Sequence, residues 1–395
     1  MPPLAIFPDT LLSPLEAIAN AVVIVENERI LAAGPRDAIT VPKSARELRA
    51  PGKILVPGFV DVHVHGAGGS DVMDAHPEAL RTIATVLARF GATSFVPTTV
   101  TASADRTIDA LARIADTIRA WPSHPGSNAP AAQPVGIHLE GPFISAHRKG
   151  VHPAEWIAAP SRELFDRLTT SAQGTLRIVT LAPELPGALD LVAAARARQI
   201  VVSLGHTDAT YQQATAAIEL GATHAAHVFN AMRPFSHRET GVIGAVLTSP
   251  QVTAELIADG VHVDEAAIRM LLAAKSVART ILVSDGTAAT GMPDGAYRLG
   301  TFEVTVTGGV CRNAEGRLAG STLTLDRAIR TMTGLGVPLK DAVQMATLNP
   351  ARVLNLQEEK GVIAPGADAD LVLLDADLCV AGVMTRGVAS GALRA

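Results

Sequence analysis

QIVVSLGHTDATYQQATAAIELGATHAAHVFN, residues 199–230, contains a short apolar run, a stretch of helical period and a second apolar run. The runs QIVVSLGHT (199–207) and ATHAAHVFN (222–230) are nearly continuous in apolar residues rather than alternating. Such strands, joined by a helix, belong to a parallel sheet covered on both faces. The same unit recurs on either side. Upstream stand GFVDVHVHG (58–66), ATSFVPTT (92–99), PVGIHLEG (134–141) and LRIVTLAPE (176–184). Downstream stand VTAELIADG (252–260) and TILVSDGTA (280–288). PEALRTIATVLARFG, SADRTIDALARIADTIRAW and DATYQQATAAIELG are helix candidates between the runs. Eight βα units predict an α/β fold, a closed (β/α)8 TIM-type barrel. The competing open, doubly wound sheet lacks its usual support, because no GxGxxG follows the first strand and there is no P-loop.

The chain ends read differently. AVVIVENERILAAG predicts a hairpin, and GVIAPGADADLVLLDADLCVAGVMTRGV breaks into short β-rich runs. Both ends together predict a small β-sandwich domain. The expected division is 1–56 and 356–395 for that domain and 57–355 for the barrel. YRLGTFEVTVTGGVCRNAEGRLAG reads as a hairpin ahead of two last helices, STLTLDRAIRTMTGLG and PLKDAVQMATLNPARVLNL. SHPGSNAPAAQP (123–134) reads as a loop.

With 48% hydrophobic and 18% charged residues in 395, the chain is not of disordered composition. A net charge of −5 offers no basic surface for nucleic acid. No apolar run is long enough to span a membrane, and the N-terminus does not read as a signal peptide. Two cysteines, Cys311 and Cys379, make no disulfide framework, which favours a reducing, cytoplasmic setting.

Chemistry in this barrel gathers at the C-terminal ends of the strands. The first strand supplies Asp61, His63 and His65, and the third Glu140. Later strands supply His206, His227, Asp259 with His262, and Asp285. His63 and His65, two apart on a strand, share a face, and Glu140, His206 and His227 arrive from other strands. Imidazole plus carboxylate suits zinc, iron, cobalt or manganese better than magnesium or calcium. Asp285, in LVSDGTA, reads either as the group that takes a proton from attacking water beside a metal or as an Asx turn before glycine. His76 and His124 read as surface residues, His138 is left open, and His147 and His237 have no assigned role.

LVPGFVDVHVHG, the strand-end histidines and SDGTA resemble the amidohydrolase superfamily. HLEGPF, GHTDATY, HVFNAM, HRETG, IADGVH and LAGS, in that order from about residue 50 to about 325, are most similar to its N-acetylglucosamine-6-phosphate deacetylase family. The resemblance implies that Glu140, His206 and His227 are the main metal ligands and Asp285 the acid/base. It implies that Val151, His152, Asn230, Ala231, Asp259, Leu318, Ala319 and Gly320 meet substrate, and that Arg238 and His262 lie on the phosphate side. It also implies a divalent ion, zinc or iron foremost, a phosphorylated amino-sugar substrate and a homodimer. Because His63 and His65 are both present, one or two ions per chain fit, with Glu140 as the bridge. No lysine ends a predicted strand; Lys149 is the nearest to Glu140. N-acetylgalactosamine 6-phosphate remains an alternative substrate, followed by a cyclic amide or a catalytically dead scaffold.

Overall fold

The computed structural model describes residues 2–74, 76, 78–121 and 129–394. His124 and the first half of the 123–134 loop, residues 123–128, lie outside the described residues. Eight strands run parallel and are numbered here in chain order. They are β1 (Phe59–Val64), β2 (Ala92–Thr99), β3 (Ile137–Glu140), β4 (Leu176–Leu181), β5 (Val201–Leu204), β6 (Ala222–Ala225), β7 (Thr253–Leu256) and β8 (Thr280–Leu282). Each pairs with its sequence neighbour from β1 through β8. A parallel bridge between Val64 and Gly286 closes the ring just beyond the ends of β1 and β8. Asp61 reinforces that seam, since its buried Oδ1 accepts N–H bonds from His63 and Ser284, both 3.3 Å.

The helices form for local reasons. Tyr211–Leu220 begins with a capping box in which the Thr210 hydroxyl accepts the Gln213 N–H and the Gln213 side chain accepts the Thr210 N–H. It ends at Gly221, whose φ of 120° suits glycine. Ala104–Arg119 is capped by Ser103 and buries Ala110, Leu111, Ile114 and Ala115 against the barrel.

Strands from both chain ends build one eight-stranded sheet. Residues Arg46–Pro57 pair in parallel with Leu4–Leu12 and antiparallel with Leu371–Leu374. Where a hairpin is expected near residue 300, there are three antiparallel strands, Gly295–Leu299, Phe302–Thr307 and Val310–Asn313. The extra strand exists because Gly300 turns at φ 59° and its N–H is held by Asp71 at 2.8 Å. The last expected helix is two, Leu339–Ala346 and Leu348–Val353, broken at Thr347 (φ −131°, ψ −82°).

Lys360 ties the terminal sheet to the barrel. Its ammonium is 3% exposed and meets Asp368 at 2.6 Å, Asp370 at 2.7 Å and Gln133 at 2.9 Å. Removing one partner of a buried ion pair leaves charge uncompensated. Lys360→Met is therefore expected to lower the unfolding free energy by about 3–5 kcal/mol, read from urea denaturation. A loss under about 1 kcal/mol, the value of an exposed pair, would contradict this reading.

Candidate metal and active centre

The Glu140 carboxylate, 2% exposed at the end of β3, is the hub. Oε1 is 3.0 Å from His227 Nε2, 3.1 Å from His206 Nε2 and 3.4 Å from His63 Nε2. Oε2 is 3.4 Å from His65 Nε2 and 3.3 Å from His152 Nε2. Asp285 completes the group, its Oδ1 being 3.3 Å from His65 Nε2 and 3.7 Å from His63 Nε2. Three of these residues sit just beyond their strands in left-handed backbone, His206 at φ 48°, His227 at 26° and Asp285 at 49°. Non-glycine residues seldom adopt that region, and such strain gathers at functional sites. It aims each side chain inward across the barrel mouth. Gly320 keeps its loop close: a Cβ there would lie 2.9 Å from the Asp285 carbonyl oxygen.

The donor set fits a divalent cation. Ligand atoms about 2.1 Å from one tetrahedral zinc lie roughly 3.4 Å apart, the range seen here. His63, Glu140 and His227 form one such group, Glu140, His152 and His206 another, and His63, His65 and Asp285 a third. His63 Nε2 is buried without a hydrogen-bond partner. The first group shares Glu140 with the second and His63 with the third, an arrangement compatible with one ion or two.

Electrostatics point the same way. Burial pushes the Glu140 carboxyl up, but the charges of His63 and His206 and bonds from His152 and His206 hold it well below its ordinary value. For Asp285, burial is outweighed by the His65 bond and the charges of His63 and His65, so the carboxylate is favoured. Burial opposes a charged His65; its contacts with Asp285 and Glu140 overcome this and push it up to about 9. Protons held there are released when a cation binds. His152 is the opposite case, pushed down to about 4 by burial and by the His206 charge. Its Nδ1 lies 3.2 Å from the Thr101 backbone nitrogen, whose N–H can only donate to it, and 2.7 Å from the Thr101 hydroxyl, which can donate as well. The neutral ring therefore carries its proton on Nε2, facing the cavity.

That cavity, about 210 Å³, opens at the strand ends. Of the expected substrate residues, Val151, His152, Asn230, Ala231, His262, Leu318 and Gly320 line it. Asp259 lies behind, its Oδ2 2.7 Å from His262 Nδ1 and its Oδ1 accepting the N–H groups of Val261 and His262. Ala319 is buried in the core of the three-stranded sheet rather than at the cavity wall. Arg238 is exposed and outside the lining, and among the described residues no carboxylate pairs with it. Lys149 donates to the His152 carbonyl at 3.2 Å and bridges nothing in the cluster. His138 is buried deeper, between the Val62 carbonyl at 3.2 Å and the Thr180 hydroxyl at 2.7 Å. His76 is exposed.

Val100, Gly150 and Leu299 also line the cavity, and Glu255 and His224 lie beneath it. Sequence reasoning singled out none of them. For Glu255 a signal existed, an acid in the middle of the apolar run VTAELIADG rather than at its end.

An (β/α)8 barrel with clustered imidazoles and carboxylates at its strand ends defines a metallohydrolase type of protein. The amidohydrolase family model matches residues 54–389, and the chain belongs to that family. It is 41% identical over 348 residues to the N-acetylgalactosamine-6-phosphate deacetylase of Escherichia coli O157:H7, covering 88% of this chain and 90% of the other. It is 38% identical over 345 residues to the N-acetylglucosamine-6-phosphate deacetylase of Bacillus subtilis, covering 87% and 86%. Among solved structures, a Mycobacterium smegmatis N-acetyl-D-glucosamine-6-phosphate deacetylase variant in complex with N-acetyl-D-glucosamine-6-phosphate superposes with a TM-score of 0.90 at 36% identity. The match covers 98% of this chain and 99% of that one.

Proposed function

We propose that this protein hydrolyses the acetamide of N-acetyl-D-glucosamine 6-phosphate, giving D-glucosamine 6-phosphate and acetate. The observation that carries the proposal is the convergence of five imidazoles on the single carboxylate of Glu140, with the Asp285 carboxylate against two of them, His63 and His65. Glu140, His206 and His227 would hold a divalent cation, and His63 and His65 could hold a second; such an ion would supply Lewis acidity toward the acetamide and the attacking water. Zinc or iron suits these donors best. Asp285 takes the proton of the water and later gives it to the departing amine nitrogen. Neutral His152 donates its Nε2–H toward the carbonyl oxygen as negative charge develops there. Asn230, Ala231, Leu318 and Gly320 confine the sugar, with Val151 in the wall beside them and Ala319 packed behind Leu318 and Gly320 in the core of the three-stranded sheet.

The phosphate belongs at the His262 side of the cavity. Asp259 fixes the imidazole through Nδ1 and leaves Nε2 for the ligand. Arg238 supplies fixed positive charge from the segment that continues beyond Asn230 and Ala231. Arg238→Ala is expected to raise KM for the 6-phosphate sugar about ten- to a hundred-fold, the loss of one charge-assisted contact. The rate on unphosphorylated N-acetylglucosamine should barely change, because that substrate lacks the group. Equal losses on both sugars would remove Arg238 from the phosphate site.

The 41% identity to a galactosamine-type relative favours a second reading, the same reaction on N-acetylgalactosamine 6-phosphate. Values of kcat/KM on the two 6-phosphate sugars, measured on protein of known metal content, test both. Inactivity on both would overturn the proposal. A cytoplasmic homodimer accompanies it. Unpaired Cys311 and Cys379 fit a reducing compartment. No helix among the described residues is long and apolar enough to cross a membrane.

A further inference from the structure

Below the cation cluster the barrel interior contains a second polar layer centred on Glu255 of β7, which is fully buried. Its Oε2 is 2.8 Å from His63 Nδ1 and 3.0 Å from the backbone nitrogen of His227. Its Oε1 is 2.8 Å from His224 Nε2. All three neighbours are nitrogens, the arrangement of a carboxylate that only accepts. His63 then donates Nδ1–H to Glu255 and presents Nε2, which has no hydrogen-bond partner, toward Glu140 at 3.4 Å and Asp285 at 3.7 Å. The neighbouring histidines are held differently. His65 Nδ1 faces the Thr98 carbonyl at 3.0 Å, and His206 Nδ1 faces the Arg148 carbonyl at 3.0 Å. A carboxylate behind an imidazole fixes its tautomer and makes it a stronger donor than a neutral carbonyl does.

We propose that Glu255 is a positioning residue that acts through His63, holding Nε2 aimed at Glu140 and so setting how tightly the His63 side of the cluster binds a divalent cation. In this role Glu255 acts through His63 alone, from the Nδ1 side of the ring. The His224 and His227 contacts hold the carboxylate in place for this task. The inference rests on the metallohydrolase reading above.

The test is zinc affinity, measured by competition with a chromophoric chelator on the full chain. Glu255→Gln keeps the shape but not the charge, and zinc should bind about 10- to 100-fold more weakly. The loss should vanish against His63→Gln: the double variant should bind zinc no more weakly than His63→Gln alone. Unchanged affinity in Glu255→Gln, or losses that add in the double variant, would overturn the inference. If Glu255→Gln does not fold, 15N-histidine spectra of the zinc-loaded wild-type protein decide, with His63 assigned by its disappearance in His63→Gln. A protonated Nδ1 with an unprotonated, zinc-bound Nε2 supports the inference, and a proton on Nε2 overturns it. Failure of the wild-type protein to bind zinc would overturn the metal reading and this inference with it. A zinc-binding wild type with an indifferent Glu255→Gln would overturn this inference alone.

Discussion

Asp285→Asn is expected to lower kcat by at least about 100-fold, the scale of general acid–base catalysis, while leaving the metal content unchanged. The carboxylate stands just past β8, buried, 3.3 Å from His65 and 3.7 Å from His63, and its surroundings favour the ionised form. An ionised carboxylate can take the proton of an attacking water; an amide of the same shape cannot. The backbone should survive the change, since the left-handed φ of 49° suits Asn as well as Asp. The Asp285 N–H bond to the His63 carbonyl, 2.9 Å, does not involve the side chain. Turnover numbers and metal analysis on the same sample check the prediction. Near wild-type turnover would return Asp285 to its plainer role as a turn residue before Gly286.

Glu140→Ala should remove metal and activity together. One carboxylate faces five imidazole nitrogens at 3.0–3.4 Å. Without it, the histidines lose the negative charge that balances a divalent cation and the oxygen that connects the two sides of the cluster. Metal content should fall from wild-type stoichiometry toward zero. The several kcal/mol of transition-state stabilisation that a Lewis acid supplies would go with it, so kcat should drop by roughly a hundred-fold or more. Elemental analysis after dialysis, alongside kcat, is the measurement. A variant with full metal that is merely slow would show that Glu140 is not a ligand, and the imidazoles alone would then have to account for binding.

Much of the architecture was legible because parallel barrel strands are buried on both faces. ATSFVPTT and LRIVTLAPE read as apolar runs at spacings that only a helix can bridge, and β2 and β4 lie within them. The site residues were legible for a related reason. His63, His65, Glu140, His206, His227 and Asp285 all stood at or just beyond strand ends, where chemistry in this barrel gathers, although Asp285 read equally as a turn residue before Gly286. The three-stranded sheet near residue 300 was read as a hairpin because its first turn depends on Asp71, 229 residues away in sequence, accepting the Gly300 N–H. The break at Thr347 did have a local signal, Asn349–Pro350, since proline is tolerated in the first turn of a helix but not in its interior; the reading of one continuous helix passed over it.

The sequence by itself determined the barrel, the residue types of the centre and their order around the ring, because those follow from local periodicity and strand-end position. Only the tertiary structure decided how those groups face one another. It placed Glu140 as the hub, gave His152 its neutral Nε2–H through Thr101, and set Glu255 behind His63 across 192 residues. It also put Ala319 in a core and Arg238 outside the cavity lining. The physical reason is that hydrogen-bond partnership, tautomer and burial depend on distances between segments remote in the chain, and no local pattern of residues encodes those distances.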